Sequence, residues 1–537
     1  MSEQHQRIGE ILIGHGVPRE YIELALKEQR VRGNKLLGEI LLEMSLVNSE
    51  TLAYCLAKQW KLNHFSLFKS DIQEGIIDDL GFIEEHGIVP IEQNGTAVRI
   101  GMVNPKDYRR RDAVHRYVKA KLGKHTEFSV VSNETFQRYL ESLIRITDEE
   151  VVKPLSQGTD QSVAGLRLLL KKGIIERCSD IHIEPAVEGG RIKMRRNGIL
   201  GMQTALDPNQ YQTLMNIIRV RSGMNLVEKQ MPQDGRIEGE FIGEEKYKPV
   251  DFRVSLIPNW SRSGNADSVV IRILDRRTSI LPLEELGMNR AVLEFLNRAK
   301  NRSHGIIIFT GPTGSGKSTS IYSAMATVDT IRRAVVTVED PVEYRNYLWK
   351  QIQITGNLKM ADALRSILRH DPDIIFCGEI RDEESAKIAF DTANTGHLVF
   401  TTLHANDSIK AIPRLQALGI PNSMIEATVL GIVSQRLARV LCSCKAEDPQ
   451  SSNGDVKRYR AVGCPKCNHT GYKGRTMIAE HFPLVQSTRE ALQYALDGNI
   501  FKARESAGAN GIHDLLKDAD TKLDNGIISV EERERVI

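Results

Sequence analysis

Apolar residues recur at intervals of three and four through the first sixty positions, and the pattern runs twice. Arg7-Ile8-Gly9-Glu10-Ile11-Leu12 returns as Leu36-Leu37-Gly38-Glu39-Ile40-Leu41. Each copy leads into a series that closes on glutamine: Ile22, Ala25, Leu26, Gln29, then Leu52, Cys55, Leu56, Gln59. This spacing predicts amphipathic helices in two similar units that pack together. From about 64 to 145 short apolar runs, Gly87 to Ile91 and Ala97 to Met102, alternate with helical stretches and predict a small α/β unit. Residues 1–145 thus read as an N-terminal domain. The polar, Gly-containing run Ser156-Gln157-Gly158-Thr159-Asp160-Gln161-Ser162 marks 146–162 as a linker.

A helical series from Val163 to Ile175 opens the next region. Strands follow over Asp180 to Glu184 and Arg191 to Arg196, with Asn197-Gly198 as a hairpin turn. A helix over Gln210 to Ser222 and strands over Phe252 to Leu256 and Ser268 to Leu274 complete an α+β domain at 163–277. Beyond about 280 the pattern changes again. Short apolar runs end at Thr310, Val338, Cys377 and Thr402, with helical stretches between them. They predict a buried, mostly parallel sheet in an α/β domain spanning 280–537. Ligands bind such sheets at the carboxyl ends of the strands, so the polar residues there are the candidates for chemistry.

After the first of these strands comes Gly311-Pro312-Thr313-Gly314-Ser315-Gly316-Lys317-Ser318, and Thr319 continues into a helix. Strand, G-x-x-x-x-G-K-[ST] and helix together describe a loop whose backbone N–H groups close on a polyphosphate. Lys317 would reach the β/γ-phosphates of ATP and the Ser318 hydroxyl would hold Mg²⁺. The other strands end in Glu339-Asp340-Pro341-Val342-Glu343, in Cys377-Gly378-Glu379-Ile380-Arg381-Asp382, and in Thr401-Thr402-Leu403-His404. Hydrolysis of ATP needs a held metal, a carboxylate to direct water, and positive charge on the phosphates. Glu379 suits the metal shell, Glu343 or Glu339 the water, and His397 or His404 the γ-phosphate.

Charge narrows the partners. The 72 basic and 69 acidic residues leave a net charge of +3, too even to argue for nucleic acid or an anionic membrane. The start, Met1 to Arg7, lacks the apolar core of a signal peptide, and no uninterrupted apolar stretch reaches the ~18 residues of a span. A cytoplasmic protein is expected, joined to membranes only through partners. Of seven cysteines, Cys55, Cys178 and Cys377 are scattered. Cys442-Ser443-Cys444 and Cys464-Pro465-Lys466-Cys467 form two close pairs, which suits a closed structural Zn²⁺ site. The first pair is C-x-C, a spacing that strains chelation by both thiolates, and His469 stands nearby as a substitute ligand.

The order of these blocks resembles the GspE/PilB-type secretion ATPases of type II secretion and type IV pilus assembly. The resemblance rests on Gly311 to Ser318, Thr337 to Tyr344, Asp373 to Asp382 and Thr395-Gly396-His397 to Asp407. It extends upstream through Ser179 to Pro185 and Pro232 to Arg236, and to the N-terminal repeat. It implies a RecA-like phosphate-loop domain, preceded by an α+β, PAS-like middle domain and a small helical and α+β N-terminal domain for regulation or docking. It implies that Glu343 is the catalytic carboxylate, Glu379 the Walker B acid, and His397 and His404 the His box. It further implies that middle-domain arginines reach the phosphates across a cleft; Arg236, Arg253 and Arg272 are the nominees. The family's zinc subdomain matches about 440–476, although its first pair is C-x-x-C.

The same resemblance implies a homo-oligomeric, hexameric ring at the inner membrane. Its turnover would rotate one domain against another and drive a platform protein. The N-terminal repeat resembles a module that binds cyclic di-GMP in some members. Arg7 heads the first copy, but Leu36 stands where the second would carry its charge, and the first copy is one residue shorter between Gly16 and Gln29. A docking module for a membrane-anchored partner is the other reading. In the middle domain, Arg196 precedes Asn197-Gly198 where an Asp before Gly is usual, and Asn259 to Asp267 is a local variant. Pilus assembly is the reading taken here, with type II secretion as its alternative. The rivals from other classes are an ATP-binding regulatory scaffold and a DNA-translocating ring. The full set of acids and histidines opposes the first. The even charge and the lack of a basic, aromatic-interleaved tract oppose the second.

Overall fold

The computed structural model describes residues 7–537 apart from 34, 68–71, 74, 262–263, 278–279, 357, 451–455 and 468. Met1 to Gln6, Asn468 beside the cysteines, and Arg262 and Ser263 of the variant run lie outside the described residues. Two compact units divide between Ser279 and Ile280.

The first unit opens with the repeat. Each copy is a short helix followed by a longer one: Ile8–Gly14 and Arg19–Arg32, then Leu37–Glu43 and Ser49–Trp60. The repeated glycine has the same task twice. A Cβ at Gly9 would come within 3.0 Å of Ile22, and one at Gly38 within 3.1 Å of Leu52, so each glycine lets its short helix close on the longer one. Leu12, Ile22 and Ala25, and then Ile40, Leu41, Leu52 and Cys55, fill the interior. A four-stranded sheet follows, ordered Asn63–His64, His125–Val130, Ala97–Met102, Ile88–Gln93. Glu50 of the repeat joins the two parts by accepting from Ser132 Oγ and Thr135 Oγ1.

The expected linker at 146–162 is corrected. Asp148–Val152 is an α-helix capped by Thr147, Lys153–Ser156 is a 3-10 turn, and the next helix begins at Thr159. Val151 and Leu155, four residues apart, are buried in the core of the following layer. That core lies between the helices Thr159–Ile175 and Pro208–Arg221 and an antiparallel six-stranded sheet. The strand order is Ile199–Leu206, Gly190–Arg196, Cys178–Pro185, Gly264–Asp275, Val250–Ser261, Gln233–Glu238. Asn197 at φ 48° and Gly198 at φ 83° make the first hairpin turn, as the dipeptide predicts.

In the second unit a seven-stranded sheet runs Lys350–Gln353, Val335–Glu339, Ile374–Cys377, Leu398–Leu403, Gly305–Thr310, Val429–Leu441, Tyr472–Pro483. All pairs are parallel except the last. Every residue of Gly305–Thr310 and of Leu398–Leu403 is buried, because both sheet faces are covered. Ile306 and Ile308 face one core with Phe390, while Ile307 and Phe309 face another with Tyr322. The parallel strands share a direction, so the loops after 310, 339, 377 and 403 open on one edge of the sheet.

Candidate functional site

The phosphate loop leaves the strand Gly305–Thr310 and enters the helix Lys317–Met325. Gly311, Gly314 and Gly316 have φ of 141°, 76° and 86°, which side-chain-bearing residues rarely adopt. At Gly311 space is forbidden too: a Cβ would lie 2.3 Å from the Gln435 carbonyl and 2.8 Å from Ser315 Oγ. Pro312, Thr313 and Gly314 are exposed at the crest, Ser315 is buried, and Ser318 and Thr319 are half-buried in the first helical turn. Lys317 Nζ turns back to donate to the Gly311 and Pro312 carbonyls at 2.8 and 3.0 Å. Burial lowers its pKa, and Glu379 and Glu343 oppose that shift as nearby negative charges.

The two acids after Val335–Glu339 have different surroundings. Glu343 meets the phosphate loop directly: Ser318 Oγ donates to its Oε1 at 3.3 Å. Glu339 is only 3% exposed. It accepts from Tyr322 and Thr337 Oγ1, and burial pushes its pKa up against those hydrogen bonds. Its carboxylate is enclosed below the loop rather than presented to water, which separates two candidates left open by the sequence. Glu379 follows Ile374–Cys377 in a turn that Thr402 Oγ1 fixes by donating to the Gly378 carbonyl at 2.7 Å. Its two oxygens are held by Arg381 Nε at 2.8 Å and His404 Nε2 at 2.6 Å.

His397 does not join this group. It precedes Leu398–Leu403, its carbonyl accepts from Gly305 N at 3.1 Å, and its Nδ1 lies 3.1 Å from the Thr392 carbonyl. Gly305 begins the strand whose far end carries the phosphate loop. Six strand residues at ~3.3 Å each put His397 about 20 Å from the edge where His404 stands. The two histidines flank one strand, so they cannot share a site within one chain.

In the first unit Arg236, Arg253 and Arg272 stand abreast in register on three neighbouring strands. Arg236 Nη2 meets Asp251 Oδ1 at 2.6 Å and Arg272 Nε meets Asp180 Oδ1 at 3.1 Å. All three arginines are exposed on the face opposite the buried Val254 and Ile271. At the N-terminus Arg7 and Leu36 hold equivalent places, each just before a short helix, and Leu36 is 67% exposed.

The C-x-C spacing does not keep a cysteine out of the cluster. The sulfurs of Cys442, Cys444, Cys464 and Cys467 all lie within 4.8 Å of one another. The pairs 442–464, 444–467 and 464–467 are 3.9, 3.9 and 3.8 Å apart. A tetrahedron with Zn–S bonds of about 2.3 Å has S···S edges of about 3.8 Å, so the set fits that ion. The amides of Cys464 and Gly471 donate to Cys467 Sγ at 3.1 and 3.2 Å, which favours a thiolate there. His469 is exposed and lies outside the group.

Residues 158–535 match the family model described as type II/IV secretion system protein. The chain belongs to that family. It is an ATPase of the secretion and pilus motors. Residues 64–150 match the MshEN domain model, which leaves the helical repeat outside the matched stretch. The type II secretion system protein HxcR of Pseudomonas aeruginosa is 39% identical over 69% of this chain and 76% of its own. The type II secretion system ATPase E of Vibrio cholerae is 38% identical over 69% of this chain and 74% of its own. The type IV pilus assembly ATPase PilB of Myxococcus xanthus is 30% identical over 98% of both. The crystal structure of the Legionella pneumophila ATPase DotB shares the fold, with a TM-score of 0.54, 21% identity, and coverage of 70% of this chain and 95% of that one.

In this secretion ATPase some supporting residues escaped the sequence pattern. Gln435 is fully buried, and its Nε2 donates to the Ser315 carbonyl at 2.8 Å, tying the phosphate loop to the next strand. Its signal was a lone amide in the apolar run Val429–Leu441. Tyr322 and Gln351 gave no signal, because their partners Glu339 and Tyr322 lie 17 and 29 positions away and only the fold brings them together.

Proposed function

We propose that this chain is the motor of type IV pilus assembly, hydrolysing ATP at the loop 311–318 with Glu343 directing water. The observation that carries the chemistry is the Ser318–Glu343 contact, which joins the hydroxyl suited to Mg²⁺ with the carboxylate suited to water. Lys317 binds the β/γ-phosphates once these displace the loop carbonyls it now meets. Ser318 and Glu379 would hold Mg²⁺, which when bound neutralises phosphate charge. Glu343 accepts a hydrogen bond from the attacking water and orients it. His404 and Arg381 hold Glu379 in place. Arg236, Arg253 and Arg272 supply positive charge to the phosphates. What supports this role is their alignment, in register on three neighbouring strands and exposed on one face.

The pilus reading is supported by length of match. PilB of Myxococcus xanthus aligns over 98% of the chain, N-terminal domain included, whereas HxcR aligns over 69%. Type II secretion is the second reading, favoured by the higher identity of HxcR and the Vibrio ATPase, at 39% and 38%. A cytoplasmic hexameric ring, docked through the N-terminal domain to an inner-membrane platform, completes the proposal. Among the described residues no helix is long and apolar enough to cross a membrane. The four thiols hold a structural Zn²⁺. Deleting the gene in its host tests the choice: loss of surface pili with secretion intact supports assembly, and the reverse supports secretion.

A further inference from the structure

We propose that Gln351 is a positioning residue for ATP hydrolysis: from the edge strand Lys350–Gln353 it holds the loop of Glu343 against the phosphate-loop helix. Residues 340–349 have no regular structure of their own, yet Glu343 must stay in reach of Ser318. Two glutamines on one face of the edge strand grip this loop. Val342 N donates to Gln353 Oε1 at 3.3 Å, and Asn346 N donates to Gln351 Oε1 at 2.7 Å. Gln351 Nε2 donates to the Tyr344 carbonyl at 2.8 Å. The backbone is therefore gripped on both sides of Glu343.

The amide of Gln351 is anchored from behind. Its Nε2 lies 3.3 Å from Tyr322 Oη and 3.5 Å from Glu339 Oε1. Glu339 in turn accepts from Tyr322, which sits on the helix that begins at Lys317. The buried Tyr322 and Glu339 and the half-buried Gln351 thus form a relay from the phosphate-loop helix to the loop carrying Glu343. Glu339 becomes a positioning residue as well, acting through Gln351. Misplacing a reacting group by about 1 Å costs on the order of 10²-fold in rate, so this grip bears on turnover. None of the bonds made by Gln351 reaches Lys317 or the glycines, so nucleotide binding is spared.

The test measures phosphate release and Mg-ATP affinity on the full chain. Gln351→Met keeps the volume and removes the donors and the acceptor. Its kcat should fall about 10- to 100-fold while the Kd for Mg-ATP moves less than about three-fold. Because Gln351 acts through Glu343, the double variant Glu343→Ala/Gln351→Met should be no slower than Glu343→Ala. Glu339→Gln, which keeps an acceptor for Tyr322, should recover about ten-fold of the turnover lost in Glu339→Ala. Gln351→Glu keeps the acceptor for Asn346 and loses the donor to Tyr344; it carries the same test if the methionine variant does not fold. The inference rests on Glu343 directing the water. Full turnover in Glu343→Ala overturns that reading and this one together. A slow Glu343→Ala overturns only this one if Gln351→Met is unimpaired, loses affinity in step with rate, or slows the Glu343→Ala background by its full factor. Glu339→Gln as slow as Glu339→Ala removes Glu339 from the relay.

Discussion

Glu339 and Glu343 stand four residues apart, and burial divides them. The first is enclosed by Tyr322 and Thr337, and the second reaches Ser318 on the phosphate loop. Glu343→Gln should keep ATP bound and lower hydrolysis by about 10²- to 10⁴-fold, the usual range for a lost general base. Nucleotide affinity and single-turnover hydrolysis check this; normal hydrolysis there with a dead Glu339→Gln reverses the two roles. Gly311→Ala should lose ATP affinity through geometry alone, because its Cβ would meet the Gln435 carbonyl at 2.3 Å in a conformation at φ 141°. Titration with a fluorescent ATP analogue reads that loss, and unchanged affinity counts against the loop as described. The place of these residues at the strand ends was legible because the apolar runs mark the strands. Which glutamate faces the loop was not, since four positions of separation say nothing about burial. The histidines show the same limit: His397 and His404 sit close in the chain, but a strand separates them in space.

At the scale of elements, periodicity carried well where a whole face is buried and poorly where a few residues decide. The parallel strands were legible from uninterrupted apolar runs such as Ile306-Ile307-Ile308. The helix at 148–152 and the 3-10 turn after it were hidden by their polar surroundings, although Val151 in the one and Leu155 in the other are buried. The thiol cluster is a further case. The C-x-C spacing suggested strain, but Cys442 and Cys444 reach the other pair separately, across Cys464 and Cys467. Purified protein never exposed to chelator should carry about one zinc per chain. Removing it should speed amide exchange across 440–476 and leave ATP affinity unchanged, since none of the four thiols belongs to the phosphate loop. Elemental analysis well below half an equivalent contradicts this.

At the scale of the molecule, hydrolysis as proposed draws on charge as well as on the loop. Lys317 and the glycines give ground-state binding, while extra guanidinium groups favour the more charged transition state. Single Ala substitutions of Arg236, Arg253 and Arg272 should therefore depress kcat far more than ATP affinity in the assembled protein. Full turnover in all three counts against the role proposed for these arginines. The α+β character of that domain was legible in its hairpin, yet the row of arginines was not, because cross-strand register is invisible before the strands are paired. Hydrolysis of ATP at the loop 311–318 underlies every role proposed for this chain. Steady-state phosphate release by the full chain with Mg-ATP tests it most directly, comparing the natural protein with Lys317→Ala. Turnover is expected in the natural protein, unchanged by added DNA, and none in Lys317→Ala. Equal release by both proteins would contradict it.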